Sequence, residues 1–110
     1  MIRPQLKLLE KDIVVVTKDF RHEYVTVPKG FKSDLASIPR PFWILIGHPF
    51  HWRFRAASLV HDYLLEVKDP NADEIFKKIL EEYKVEKWRV YIMYMGVKLK
   101  TKIRNDYDTN

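Results

Sequence analysis

Short β-branched and alternating runs occupy residues 3–27, whereas from Leu35 onward apolar side chains recur every three or four positions, so the chain predicts a sheet first and helices after it. Residues 3–8 and 12–17 are β-rich, and residues 23–27 alternate polar with apolar before the turn Pro28-Lys29-Gly30. Two or three strands in a small antiparallel sheet are expected. Pro39 and Pro41 introduce the apolar run of residues 42–46, and Gly47-His48-Pro49 closes it, which predicts one short helix or turn. A longer helix over about residues 51–67 follows from Phe54, Ala57, Val60, His61, Leu64 and Val67, and Lys68-Asp69-Pro70 stops it. Asn71 then reads as an N-cap with Glu74 as its capping-box partner, opening a helix that turns Ile75, Phe76, Ile79, Leu80 and Tyr83 inward.

The last helix is expected over about residues 86–99. Trp88, Val90, Tyr91, Ile92, Met93, Tyr94, Met95 and Val97 cover nearly its whole circumference, so it must be centrally buried or packed on a partner. Residues 105–110 are expected to fray. The fold class is therefore α+β: a small N-terminal antiparallel sheet followed by three or four helices.

At 110 residues with 46% apolar content, the chain has the size and composition of one domain, residues 1–110. No apolar run approaches the ~20 residues needed to span a bilayer, and no signal-peptide core opens the chain; a cytoplasmic or, for a viral protein, virion location is expected. The absence of cysteine removes disulfides, thiolate nucleophiles and thiolate metal sites, leaving His, Asp and Glu as metal ligands. A net charge of +5 favours acidic partners, but the Lys and Arg residues are spread from Arg3 to Arg104 and argue against nucleic acid. The partner expected instead is a second copy, or a virion or host protein, seated on the apolar helix at residues 88–97.

Chemistry concentrates at His61-Asp62. Asp is a poor helix former, and both residues lie mid-helix between Ala57 and Leu64, where apolar side chains belong. Asp73 sits in the first turn of the next helix and can meet them across the hairpin, while Asp34 and Ser33 enter from the loop between sheet and helices. Asp62, Asp73 and Asp34 around a histidine make either an oxygen-rich divalent-metal site or a carboxylate-tuned general base, so the expected catalytic set is His61, Asp62, Asp73 and Asp34. The three aspartates are the candidate metal ligands. Ser33, Ser37 and Arg40 are candidate substrate contacts, Arg40 through a carboxylate or phosphate. Neither serine has a nucleophile-elbow context, which argues against a serine hydrolase. His48 and His51 flank a Pro-containing turn, and His22 has no companion at a recognisable spacing.

The motif of residues 30–40 (Gly-Phe-Lys-Ser-Asp-Leu-Ala-Ser-Ile-Pro-Arg), then Ala56-Ala57 through His61-Asp62, then Ala72-Asp73 with Phe76, resembles a small phage and bacterial family catalogued as domain of unknown function 1353. The likeness covers about residues 24–98. It implies a phage, prophage or mobile-element origin and no established activity. A looser likeness joins His61-Asp62 to the His-Asp helix of phospholipase A2-type enzymes. It implies that His61 activates water, Asp62 holds calcium and Asp73 orients His61, although the glycine-rich calcium loop and the cysteines of those enzymes are missing. Two functions of different class are expected from these residues: a small hydrolase, metal-dependent or not, and a non-catalytic phage protein in which the same cluster only locks the fold.

Overall fold

A computed structural model describes residues 3–9, 13–33 and 52–108. The short helix or turn expected over residues 42–46, with Asp34, Ser37, Arg40, His48 and His51, lies outside the described residues. Five short strands precede three helices, in the α+β order expected. Strand β1 (Leu6–Leu8) pairs antiparallel with β2 (Val14–Val16), which pairs on its other side with β5 (Lys32–Ser33). A separate hairpin joins β3 (Phe20–Arg21) to β4 (Thr26–Val27). The single sheet anticipated from the sequence is thus two. Two-residue strands such as β3 and β5 are too short for period-two alternation to reveal them.

Alternation decides the inward face: Val14 and Val16 are buried and Val15 between them is half-buried. Phe20 and Val27, opposite each other in the hairpin, add to the same core. The return into β5 is the turn Pro28-Lys29-Gly30-Phe31, closed by Phe31 N–H donating to the Pro28 carbonyl at 3.2 Å. Gly30 takes φ +93°, the left-handed value that the third position of a type II turn requires.

Helix α1 (Trp52–Glu66) is the centre of the molecule. Phe54, every residue from Ala56 to His61, and Leu64 and Leu65 are buried, because α1 packs on β4 and β5 on one side and on helix α2 (Ala72–Glu82) on the other. Helix α3 (Lys87–Asp108) covers α2 in turn. Of the two expectations for α3, central burial or packing on a partner, the central burial belongs instead to α1. Only one stripe of α3 is buried, through Val90, Met93 and Val97, and its outer face stays in solvent. The helix also runs to Asp108, taking in residues 105–108, which the sequence reading leaves to a fraying tail.

Both turns between helices close in the same way. Asp69 N–H donates to the Leu64 carbonyl (2.8 Å) and Lys68 N–H to Leu65 (3.1 Å); Val85 N–H donates to Leu80 (3.1 Å) and Lys84 N–H to Glu81 (3.0 Å). These are Schellman closures, with Lys68 and Lys84 at φ 60° in the place usually held by glycine. Each spends the last carbonyls of a helix on a tight return, so α1 and α2 form a hairpin that brings residue 61 opposite residue 73.

The capping box is not formed. Asn71 makes no side-chain cap bond; Asp69 Oδ1 accepts from Asn71 N–H at 2.8 Å instead, an Asx turn that fixes the entry to α2. Glu74 is drawn away by Tyr94 of α3, whose hydroxyl donates to it. That bond, with burial and the nearby Asp73 charge, pushes the Tyr94 phenol up to about 12.

Candidate functional site

His61 sits in the middle of α1 with no exposed surface, held edge-on against Phe76 of α2 with ring centroids 5.2 Å apart. Its Nε2 lies 2.7 Å from Asp73 Oδ1. A carboxylate oxygen only accepts, so Nε2 carries the proton and donates. Thr101 of α3 donates its hydroxyl to the same Asp73 oxygen, also at 2.7 Å, and stands 3.5 Å from His61 Nε2. One oxygen thus gathers a group from each neighbouring helix. The Asp73 side chain is 20% exposed, so the triad is sealed at its imidazole end and wet at its carboxylate end.

The other imidazole nitrogen is the unusual one. Nδ1 of His61 is buried and has no hydrogen-bond partner among the described residues. With the proton on Nε2, this atom presents a lone pair, and an unpaired buried acceptor costs about 1–3 kcal/mol. The other described histidine supplies the contrast. His22, whose side chain is only 4% exposed, donates from Nε2 to Glu82 at 3.1 Å and accepts at Nδ1 from Tyr24 N–H at 3.3 Å. Both its nitrogens are satisfied, as a structural histidine tying the β3–β4 hairpin to α2 should be. Its companion Glu82 was invisible in sequence because sixty residues separate them.

The remaining sequence candidates are placed as follows. Asp62 follows His61 on α1 and is half-buried; successive helical residues diverge by about 100°, so it faces a different neighbour from His61. Ser33 is buried at the end of β5, opposite Val14. Among the described residues no three His, Asp or Glu side chains are grouped to hold a metal ion. Asp73 fits an orienting role better than a ligand role, since its Oδ1 already accepts two hydrogen bonds. Thr101 was missed because the apolar period of α3 ends at Leu99. The lone threonine among Lys98, Lys100 and Lys102 was the available signal.

No helix among the described residues is long and apolar enough to cross a membrane. Residues 8–97 match the model of a family described as protein of unknown function (DUF1353). An uncharacterized protein, y4jT, of Sinorhizobium fredii (strain NBRC 101917 / NGR234) is 34% identical over 90 residues, which cover 73% of this chain and 27% of the relative. The chain thus spans about a quarter of the length of the curated relative it matches. No solved structure matches.

Proposed function

We propose, for a chain that belongs to the DUF1353 family of proteins of unknown function, that His61 and Asp73 form the general-base dyad of a small hydrolase. The observation carrying this reading is the His61 ring itself: one nitrogen fixed by a carboxylate at 2.7 Å, the other buried and without a hydrogen-bond partner among the described residues. Asp73 orients the ring and selects the tautomer, and it would stabilise the imidazolium formed once water or substrate is admitted to the sealed Nδ1 and gives up a proton there; Thr101 holds the carboxylate in register. Orientation of a base by a third group is the logic common to activated-nucleophile and activated-water enzymes. A divalent ion, where the reaction uses one, would draw on Asp62 and Asp34 and leave Asp73 to His61. Such an ion at one hundred times its dissociation constant would raise stability by ~2.7 kcal/mol.

The test is turnover of chromogenic carboxylic ester, phosphodiester and anilide substrates, with and without divalent ions. His61→Ala should abolish turnover, Asp73→Asn should lower kcat by about 10²-fold or more, and both proteins should stay folded. Wild-type turnover that survives His61→Ala would refute the assignment.

A second reading rests on the complete burial of His61 and on the way Asp73 Oδ1 joins α1, α2 and α3. In it the triad is a structural clasp of a protein that binds a host or virion partner. Nitrogen-detected NMR separates the two: a reactive Nδ1 shifts as pH or a small general acid reaches it, whereas a clasp keeps one fixed tautomer until the protein unfolds.

A further inference from the structure

The outer face of α3 carries Trp88, Tyr91, Met95, Leu99 and Ile103, each exposed by 45–65%. At about 100° and 1.5 Å per residue these five fall within an arc of about 120° and a length of about 22 Å, a single apolar ridge along the helix. Isolated exposed apolar residues are ordinary, but a continuous row of five is not. Charge surrounds the row on both flanks. From residue 87 to residue 104 the helix holds Lys87, Arg89, Lys98, Lys100, Lys102 and Arg104, and no Asp or Glu.

Apart from Glu81, which lines the groove beside Tyr91 and Met95, the nearby described carboxylates are committed to the helix or its neighbours. Glu86 pairs with Arg89, Glu66 with Arg104, and Glu74 with Tyr94. Beside Tyr91 and Met95 a groove of about 570 Å³ opens between α3 and α2, floored by Val85 and Val90 with Lys77 and Glu81 among its walls. A second copy docked on this ridge would set its own lysines against those flanking it, at separations of the order of the Debye length of about 10 Å. What complements an apolar ridge set among cations is a surface both greasy and anionic.

We propose that this face of α3 seats the protein on anionic lipid bilayers, with the helix lying in the interface rather than through it. A bilayer boundary deforms around a convex ridge, so it needs no matching concavity. Trp88 and Tyr91 are the residue types that settle at headgroup depth, and Met95, Leu99 and Ile103 enter the acyl boundary. Lys98 and Lys102, both exposed, reach lipid phosphates from the flank and on the ridge itself. The groove beside Tyr91 and Met95 offers an apolar recess for one acyl chain.

The experiment is co-sedimentation of the full chain with vesicles of phosphatidylcholine alone and of phosphatidylcholine with one quarter phosphatidylglycerol. Each basic residue near an anionic surface is worth roughly five-fold in partitioning. Binding to the anionic vesicles should therefore be at least ten-fold tighter than to neutral ones, and it should weaken as salt is raised. Lys98→Glu with Lys102→Glu should remove ten-fold or more, and Leu99→Gln with Tyr91→Gln a similar factor, with unchanged circular dichroism. Trp88 emission should move to shorter wavelength on binding, a change absent from Trp88→Phe. Equal partitioning onto both vesicles, or binding indifferent to the Leu99 and Tyr91 changes, overturns the proposal. So does a dimer in sedimentation velocity that those same changes dissociate, because the ridge then belongs to a second copy.

Discussion

Asp73→Ala tests the physical core of the site without needing a substrate. The substitution removes one oxygen that two groups use, His61 Nε2 and Thr101 Oγ1, both at 2.7 Å. A hydrogen bond to a charged group is worth about 1.5–3 kcal/mol; with the Asp73 side chain 20% exposed the lower end applies, about 1.5 kcal/mol for the His61 bond. The Thr101 hydroxyl is half-buried and can recover water, which leaves about 1 kcal/mol for it. Loss of a first-turn carboxylate adds ~0.3–1 kcal/mol through the helix dipole. The total is about 3 kcal/mol, and at about 4 °C per kcal/mol for a chain of this length the melting temperature should fall by roughly 12 °C. Urea unfolding measures the free-energy loss and a thermal melt the temperature shift, both followed by far-UV circular dichroism. Asp73→Asn, which keeps an acceptor of the same shape, should cost about half as much. Thr101→Val combined with Asp73→Ala should be less than additive by at least ~0.5 kcal/mol, because the two residues share one bond. A loss below about 1 kcal/mol for Asp73→Ala would mean that the oxygen is merely a solvated contact, and neither dyad nor clasp would survive.

Other predictions follow from the backbone and from the tyrosines. Lys68→Gly and Lys84→Gly should each raise stability by about 0.5–1 kcal/mol in urea melts, since both positions hold φ 60° at a helix closure where glycine carries no Cβ penalty. Gly30→Ala should lower it by about 1 kcal/mol through φ strain alone, because an added Cβ meets nothing within 4 Å. Tyr94 is pushed up to about 12, chiefly by its hydrogen bond to Glu74, and Tyr83 is raised mainly by burial. A raised phenol favours the folded state below its ordinary value near 10 and loses that contribution as pH climbs through the folded value. Stability should therefore decline from about pH 10 upward, and Tyr94→Phe or Glu74→Gln should flatten the Tyr94 part of that decline, read by melts and by absorbance at the phenolate band.

The helices were legible because their signals are local. Pro70, the three-and-four spacing around Phe54 to Leu64 and the inward set Phe76, Ile79, Leu80 and Tyr83 place α1 and α2 nearly where the structure has them. The meeting of His61 with Asp73 was readable for the same reason, being a contact across one hairpin. What escaped depends on distant partners. Glu74 looked like half of a capping box and is bonded to Tyr94 twenty residues on; Thr101 reaches Asp73 across 28 residues; Glu82 reaches His22 across 60. Between burial of α3 within the chain and cover by a partner the sequence could not choose, because an apolar circumference reads identically in both cases. The true central helix, α1, was partly disguised by Arg53, Arg55, His61 and Asp62 along its length. The fate of Asp34, Ser37 and Arg40, on which the wider metal and substrate set depends, lies outside the described residues.

The reversal at Lys68 bears on how the histidine's surroundings are assembled in time. His61 and Asp73 are twelve residues apart in the chain, Thr101 and Asp73 twenty-eight. Loop closure grows only as the logarithm of length, and that difference amounts to about 0.7 kcal/mol in favour of the nearer pair. Imidazole and carboxylate can accordingly come together while the chain is still searching for the rest of its contacts, and the threonine arrives last, fastening an arrangement already made.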